Sequence, residues 1–362
     1  MNINFHYFAV KTLAMAAGFE DTHAQQLAKY SQFVDDYNAP LLMSCSNIPK
    51  EIITSGELDL YVRGLSGNFQ PVSTGFSSPF EYATLIVRRE QRFILSPFHF
   101  APYDKTGAGL ADNRVILLTC GDNSLMDRLI HREISDFNSS SNQSIHLMRI
   151  GMLLHIFADS YAHQGFTGFL SGVNRVNITG VKNNLTGKDC TVQARDGIRR
   201  IFNTAMSNIP AIGHVQAGHN PDLSHVSFRY TDESGKGHSR DNTEAFLEAA
   251  RNIFMYFRIC IGGNSDIVDD WGTIAPKLRQ GLLVEMPRRN VMSSLAAHWR
   301  QIFPGIDYHY DSNEIRRSFR LTPISVAALA RNAFSAYSDE FYGYNAMANE
   351  ILVALYGPRP RR

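Results

Sequence analysis

The chain of 362 residues carries 35 basic against 34 acidic side chains, and 44% of it is hydrophobic while only 19% is charged. Such a composition excludes a disordered chain and a charged interaction tail, and a net charge of +1 supplies no general field for nucleic acid or an anionic membrane. Four cysteines, at 45, 120, 190 and 260, form no CxxC pair and suggest neither a disulfide framework nor a thiolate metal site, whereas thirteen histidines call for an explanation.

At the start, Lys11 interrupts a short apolar patch and no basic segment precedes it, so no signal peptide is expected and a cytoplasmic location follows. Export of an effector without a cleavable signal would look the same. The runs AVKTLAMAAG and THAQQLAKYSQFVDDY predict two helices split at Gly18, with Asp21 or Thr22 as the second N-cap. Their short connection implies an antiparallel hairpin, which brings His6 close to Asp35 and Asp36. Residues 46–114 change character. Gly, Ser and Pro rise, and β-like runs such as FEYATLIV and RFILSPFHF predict an insertion of loops and short strands.

Helix returns from about Ser141. Residues 143–164 are the strongest segment, followed by 194–207, Thr243–Ile261, Met292–Phe303, Ile324–Ala336 and Glu340–Tyr356. Between them the polar stretch TDESGKGHSRDN, 231–242, reads as an exposed loop, and the tail YGPRPRR as frayed. The longest apolar stretch, Ile145–Ala158, is interrupted by His146, Arg149 and His155 and is too short to span a bilayer. A mainly α protein is expected: a helical core over 1–230 with the insertion at 46–114, a helical part over 240–357 packed on the same core, and a tail at 358–362.

Within GMLLHIFADSYAHQGF, 151–166, His155, Asp159 and His163 recur every four residues. On a helix each step advances about 40°, so the three side chains share a face roughly 80° wide. Imidazoles and a carboxylate presented from one helix suit a divalent transition metal, and on so apolar a helix these groups need partners. A second group lies in AIGHVQAGHNPDLSH, 211–225, where His214 follows a shaping glycine and His219, Asp222 and His225 follow within a turn-rich segment. His99 in SPFHFAPYD is by itself an ordinary packed histidine. Asp35 and Asp36 close a helix at the end where acidic residues oppose the macrodipole, so they need a reason to be there, and Asp35 lies nearer the apolar arc.

In chain order, His6, Asp35, the HF dipeptide at His99, H-x3-D-x3-H at 155–163 and His214 resemble the zinc-dependent phospholipase C family. More loosely they resemble the single-strand-specific zinc nucleases. LLHIFADSYAHQGF and FHFAPYD carry the likeness, with FHYFAVKTLAMAAG and AKYSQFVDD at the start; it covers 5–37, 96–104 and 145–225. The resemblance implies a helical fold and two or three zinc ions held by His6, Asp35, His99, His155, Asp159, His163, His214 and Asp222, with Asp36 and His219 as further candidates. It also implies Asp35 and Asp159 as catalytic residues. The sequence departs from that family at two points. Secreted members begin with a tryptophan whose amino group and carbonyl bind zinc, whereas Met1 and Asn2 precede His6 here, which leaves that position open and points to an intracellular branch. The family's H-x3-E is replaced by His214 followed by Gly218, with Asp222 or His219 to substitute.

The expected function is hydrolysis of a phosphoester, such as a phospholipid head group, by a metal-activated water, with no stable nucleic-acid complex. Alternatives are a single-strand nuclease or nucleotidase, which would need stacking aromatics and a basic groove, and a non-enzymatic binding or effector protein with a closed structural metal site.

Overall fold

A computed structural model of the chain describes residues 1–38, 43–44, 63–64, 68–69, 71–75, 91–102, 121, 123–202, 209–263, 268–320 and 337–356. A π-helical turn, Asn4–Ala9, runs into helix α1, Val10–Ala17, which ends at Gly18 in the left-handed conformation (φ 110°) that glycine adopts without steric cost. Helix α2, Asp21–Asp36, returns antiparallel to it. The N-cap of α2 is Glu20 rather than Asp21 or Thr22; Asp21 sits in the first turn, where its charge suits the helix dipole and meets Lys11 at 2.8 Å. Three two-residue strands, β1 (Met43–Ser44), β2 (Arg63–Gly64) and β3 (Asn68–Phe69), pair in the order β1-β3-β2. FEYATLIV lies outside the described residues.

RFILSPFHF is not β. It forms a π-helical turn, Gln91–Leu95, that continues into the short helix α3, Ser96–His99. An apolar run cannot distinguish a strand from a buried helix by itself. Pro97 decides for helix, because in the first turn its missing donor is not needed.

Helix α4, Ser124–Ser139, is capped by Asn123, whose side chain accepts from Met126 N at 3.2 Å. Helix α5, Gln143–Ala162, is buried from Leu147 onward on nearly every side, so it forms the centre of the molecule. Gly151 lets it approach α2: a Cβ there would lie 2.5 Å from the Leu27 carbonyl oxygen. After α5 come strand β4 (Val176–Asn183) and helix α6 (Thr191–Phe202), then β5 (Val226–Asp232) and β6 (Gly237–Asp241). The last three strands form an antiparallel sheet in the order β4-β5-β6. The stretch expected as an exposed loop is therefore a hairpin. Its turn closes on Asp232, whose carboxylate accepts from Ser234 N and Lys236 N, both at 3.0 Å, with Gly235 at φ 83°.

Among the described residues, helices α7 (Asn242–Cys260), α8 (Val268–Leu282), α9 (Val291–Ile302), α10 (Ser312–Ser318) and α11 (Asp339–Tyr356) follow. Their buried side chains join those of α1, α2, α4 and α5 in one apolar cluster that includes Phe8, Tyr30, Leu153, Phe254, Trp299 and Tyr344. A smaller cluster with Phe100, Phe166, Ile178, Ile212 and Phe228 lies under the β4-β5-β6 sheet. Ile324–Ala336 and the tail at 358–362 lie outside the described residues. No described helix is long and apolar enough to cross a membrane.

Candidate metal centre

Every step of four along the buried face of α5 brings a functional group to the same side. Gly151 sets the distance to α2, and one turn later the His155 Nδ1–H donates to the Ser31 carbonyl of α2 at 2.8 Å. Asp159 and His163 follow on that face, His163 at the C-cap. Asp35 arrives from the last turn of α2, His6 from the N-terminal π-helical turn and His99 from the end of α3.

The second nitrogen of four histidines is tied to a backbone carbonyl. His155 bonds Ser31 O, His99 Nε2 donates to Thr74 O at 2.7 Å, His163 Nδ1 to His99 O at 2.6 Å, and His214 Nδ1 to Gly218 O at 2.8 Å. Those bonds fix the tautomers, so in its neutral form each ring presents a bare lone pair on the opposite nitrogen. The lone pairs converge with carboxylate oxygens. His155 Nε2 lies 3.3 Å and His99 Nδ1 3.4 Å from Asp159 Oδ2, the two nitrogens are 3.4 Å apart, and each is 3.7 Å from Asp35 Oδ1. Donors arranged tetrahedrally around zinc at about 2.0–2.2 Å would be separated by about 3.3–3.6 Å.

A second group comprises His163 Nε2, 2.9 Å from Asp222 Oδ1, and His214 Nε2, 3.3 Å from Asp222 Oδ2. Asp159 connects the groups. Its Oδ1 lies 3.1 Å from His6 Nε2 and against the Met1 α-amine, which is also 3.3 Å from Asp222 Oδ1. His6 Nδ1 is buried and finds no hydrogen-bond partner among the described residues.

Burial and mutual repulsion shape the charges. His6 is held well below the ordinary histidine range by burial and by His155, and burial brings His214 down to about 4. Both are therefore neutral at pH 7, the form a metal ligand requires. Burial would raise Asp159, but the Met1 amine and its three histidine neighbours outweigh burial and hold the carboxyl well below its usual value. At Asp222, burial is likewise outweighed by His214 and the Met1 amine. Asp35 behaves oppositely, raised by burial despite His155 and His99.

All eight residues of the main sequence-derived set therefore meet here, and the two further candidates do not. Asp36 turns to the hydroxyl of Tyr310, while Arg316 donates to its backbone carbonyl. His219 is exposed and begins the turn that carries Asp222. Spacing alone could not reveal the carbonyls of Ser31, Thr74 and Gly218, nor Gly75, where a Cβ would meet the Asp35 carbonyl oxygen at 1.9 Å. A separate group, Glu133, Asp136 and His146, also collects ligand atoms. There Arg132 and Arg149 approach the buried Glu133 at 3.4 and 3.5 Å and supply its countercharge.

Fold and site together define a mainly helical protein with a buried histidine–carboxylate centre suited to divalent cations. The chain belongs to a family of unknown function, DUF6765, whose model matches residues 1–350. No curated protein and no solved structure matches it.

Proposed function

We propose that the protein is a zinc-dependent hydrolase of phosphoesters, of phospholipase C type. One observation supports this most: bare imidazole nitrogens and carboxylate oxygens face one another at cation-coordinating separations while the remaining nitrogens are anchored on backbone carbonyls. Without a cation, so many acceptors in contact would be costly. Asp35, His99, His155 and Asp159 form one donor set, His163, His214 and Asp222 a second, and His6 with His155 and Asp159 an overlapping third. Zinc bound there would acidify a water molecule and clamp phosphoryl oxygens.

The protein's own groups divide the remaining work. The side chains of His6, His155, Asp159 and His163 are at most 4% exposed and form the floor, whereas that of Asp35 is 32% exposed. Substrate therefore approaches past Asp35. A raised carboxyl at the mouth suits a group that takes the proton of the attacking water. Gln32, whose Nε2 lies 3.3 Å from Asp35 Oδ2, holds that carboxylate in place.

The test combines zinc analysis of purified protein with hydrolysis of chromogenic phosphodiesters and phosphomonoesters, phospholipid and single-stranded oligonucleotide, before and after chelation. Bound zinc and chelation-sensitive hydrolysis are expected in the wild type, and loss of both in Asp159→Ala. A well-folded protein that takes up no zinc and cleaves no phosphoester would sink the reading.

A further inference from the structure

The junction between β6 and α7 reaches both sides of the His163–His214–Asp222 group without contributing a donor to it. Arg240 uses both arms of its guanidinium on the end of α5: Nη2 donates to Tyr161 O at 2.5 Å and Nη1 to Gln164 O at 3.0 Å, carbonyls on either side of His163. Its guanidinium carbon also lies 5.8 Å from the ring centre of Phe228, which anchors it to the sheet. Two residues on, the buried Asn242 donates Nδ2 to Asn220 O at 2.6 Å and Leu223 O at 2.9 Å, with Pro221 O at 3.5 Å. These carbonyls frame Asp222. Thr243 Oγ1 then donates to Ser224 O at 2.7 Å.

One short piece of backbone thus grips the helix end that carries His163 and the turn that carries Asp222. It is itself fixed, since Asp241 pairs with Ser227 in the sheet and its side chain caps α7 by accepting from Thr243 N at 3.0 Å. Loss of either grip would free one wall of the group. The 2.9 Å separation of His163 Nε2 and Asp222 Oδ1 is the distance this bracket maintains.

We propose that Arg240 and Asn242 are positioning residues for a metal ion bound by His163, His214 and Asp222, acting on that site and leaving the Asp35–His99–His155–Asp159 donors undisturbed. The inference rests on the zinc reading above. Outer groups that orient ligands typically contribute about 10–100-fold to metal affinity. Arg240→Gln removes the fork at a partly buried position, and Asn242→Asp keeps the shape while turning a donor into an acceptor that faces carbonyls.

The experiment titrates the full chain with zinc alone, reading stoichiometry by mass spectrometry and stepwise affinity by competition with a chromophoric chelator. Wild type should bind at least two ions. Arg240→Gln and Asn242→Asp should weaken one step about 10–100-fold and leave another unchanged, with Arg240→Lys intermediate because it reaches fewer carbonyls. Adding Arg240→Gln to His214→Ala should produce no further loss, since the site through which it acts is already gone. Wild-type affinities in Arg240→Gln, an equal fall at every step, or additive loss in the double variant would each overturn the proposal. Wild type that binds no zinc would instead overturn the zinc reading itself.

Discussion

His214 illustrates how burial holds an imidazole in its neutral form and what that costs as the pH falls. The unfolded chain holds the His214 proton up to about pH 6.5, whereas the folded, metal-free protein releases it near about 4, because burial disfavours the charged ring. Between those values the unfolded state binds more protons. Stability therefore rises with pH across that window and is lost as the pH falls from about 6.5 to about 4. His6, also held down by burial, acts in the same direction. Denaturant midpoints of chelator-treated protein should accordingly fall on acidification through this range, and His214→Asn should flatten the slope. A midpoint that stays level in the wild type, or climbs toward pH 4, would contradict this account of the ring.

At the scale of elements, the close packing of α5 on α2 has the largest consequence for the site, and Gly151 is where it can be tested. A methyl group there would meet the Leu27 carbonyl oxygen at 2.5 Å and Tyr30 Cβ at 3.1 Å, so the helices must separate. Overpacking of this kind costs about 1–3 kcal/mol, against about 1 kcal/mol gained by replacing glycine with alanine inside a helix. The steric effect wins because its target is backbone. Gly151→Ala should lower stability by up to about 2 kcal/mol and, under the proposed zinc reading, weaken zinc binding as the His155–Ser31 bond stretches. In α6, nothing lies within 4 Å of a Cβ at Gly197, so Gly197→Ala should be neutral or stabilising in the same melting experiment.

Much of that arrangement is legible in the residues. Four-residue spacing places His155, Asp159 and His163 on one face, and a helical hairpin brings His6 to Asp35. Choosing Asp222 over His219 is not legible, because it depends on a turn held by Asn242 from another element. The β4-β5-β6 sheet is obscured for two reasons. An irregularity between Ile178 and Gly180 breaks the alternation of β4, and β6, GHSRD, has no apolar residue to mark it. Helix α8 is interrupted in sequence by Pro276, yet it continues through it. By contrast, α4 buries Met126, Leu129, Ile130, Ile134 and Phe137 at helical spacing, a signal the residues do carry.

For the molecule as a whole, the centre joins parts of the chain that are far apart: the N-terminal turn, the ends of α2, α3 and α5, and the 214–222 turns. These segments bring carboxylates and imidazoles together in a buried interior. A ligand that binds only the folded state stabilises it by RT ln(1 + [L]/Kd), about 2.7 kcal/mol at a hundredfold excess over Kd and about 4.1 kcal/mol at a thousandfold. Under the proposed zinc reading, a chelator should therefore lower the melting temperature by several degrees, and added zinc should reverse the change in proportion to the logarithm of its concentration. The loss should also be uneven. Helices α1, α2 and α5 share a large apolar cluster, whereas residues 209–225 contain only short helical turns and meet the end of α5 through the Asp222–His163 contact. Amide exchange should accordingly rise first in 209–225 after chelation while α5 stays protected, and uniform deprotection, or none, would contradict this division of labour between core and centre.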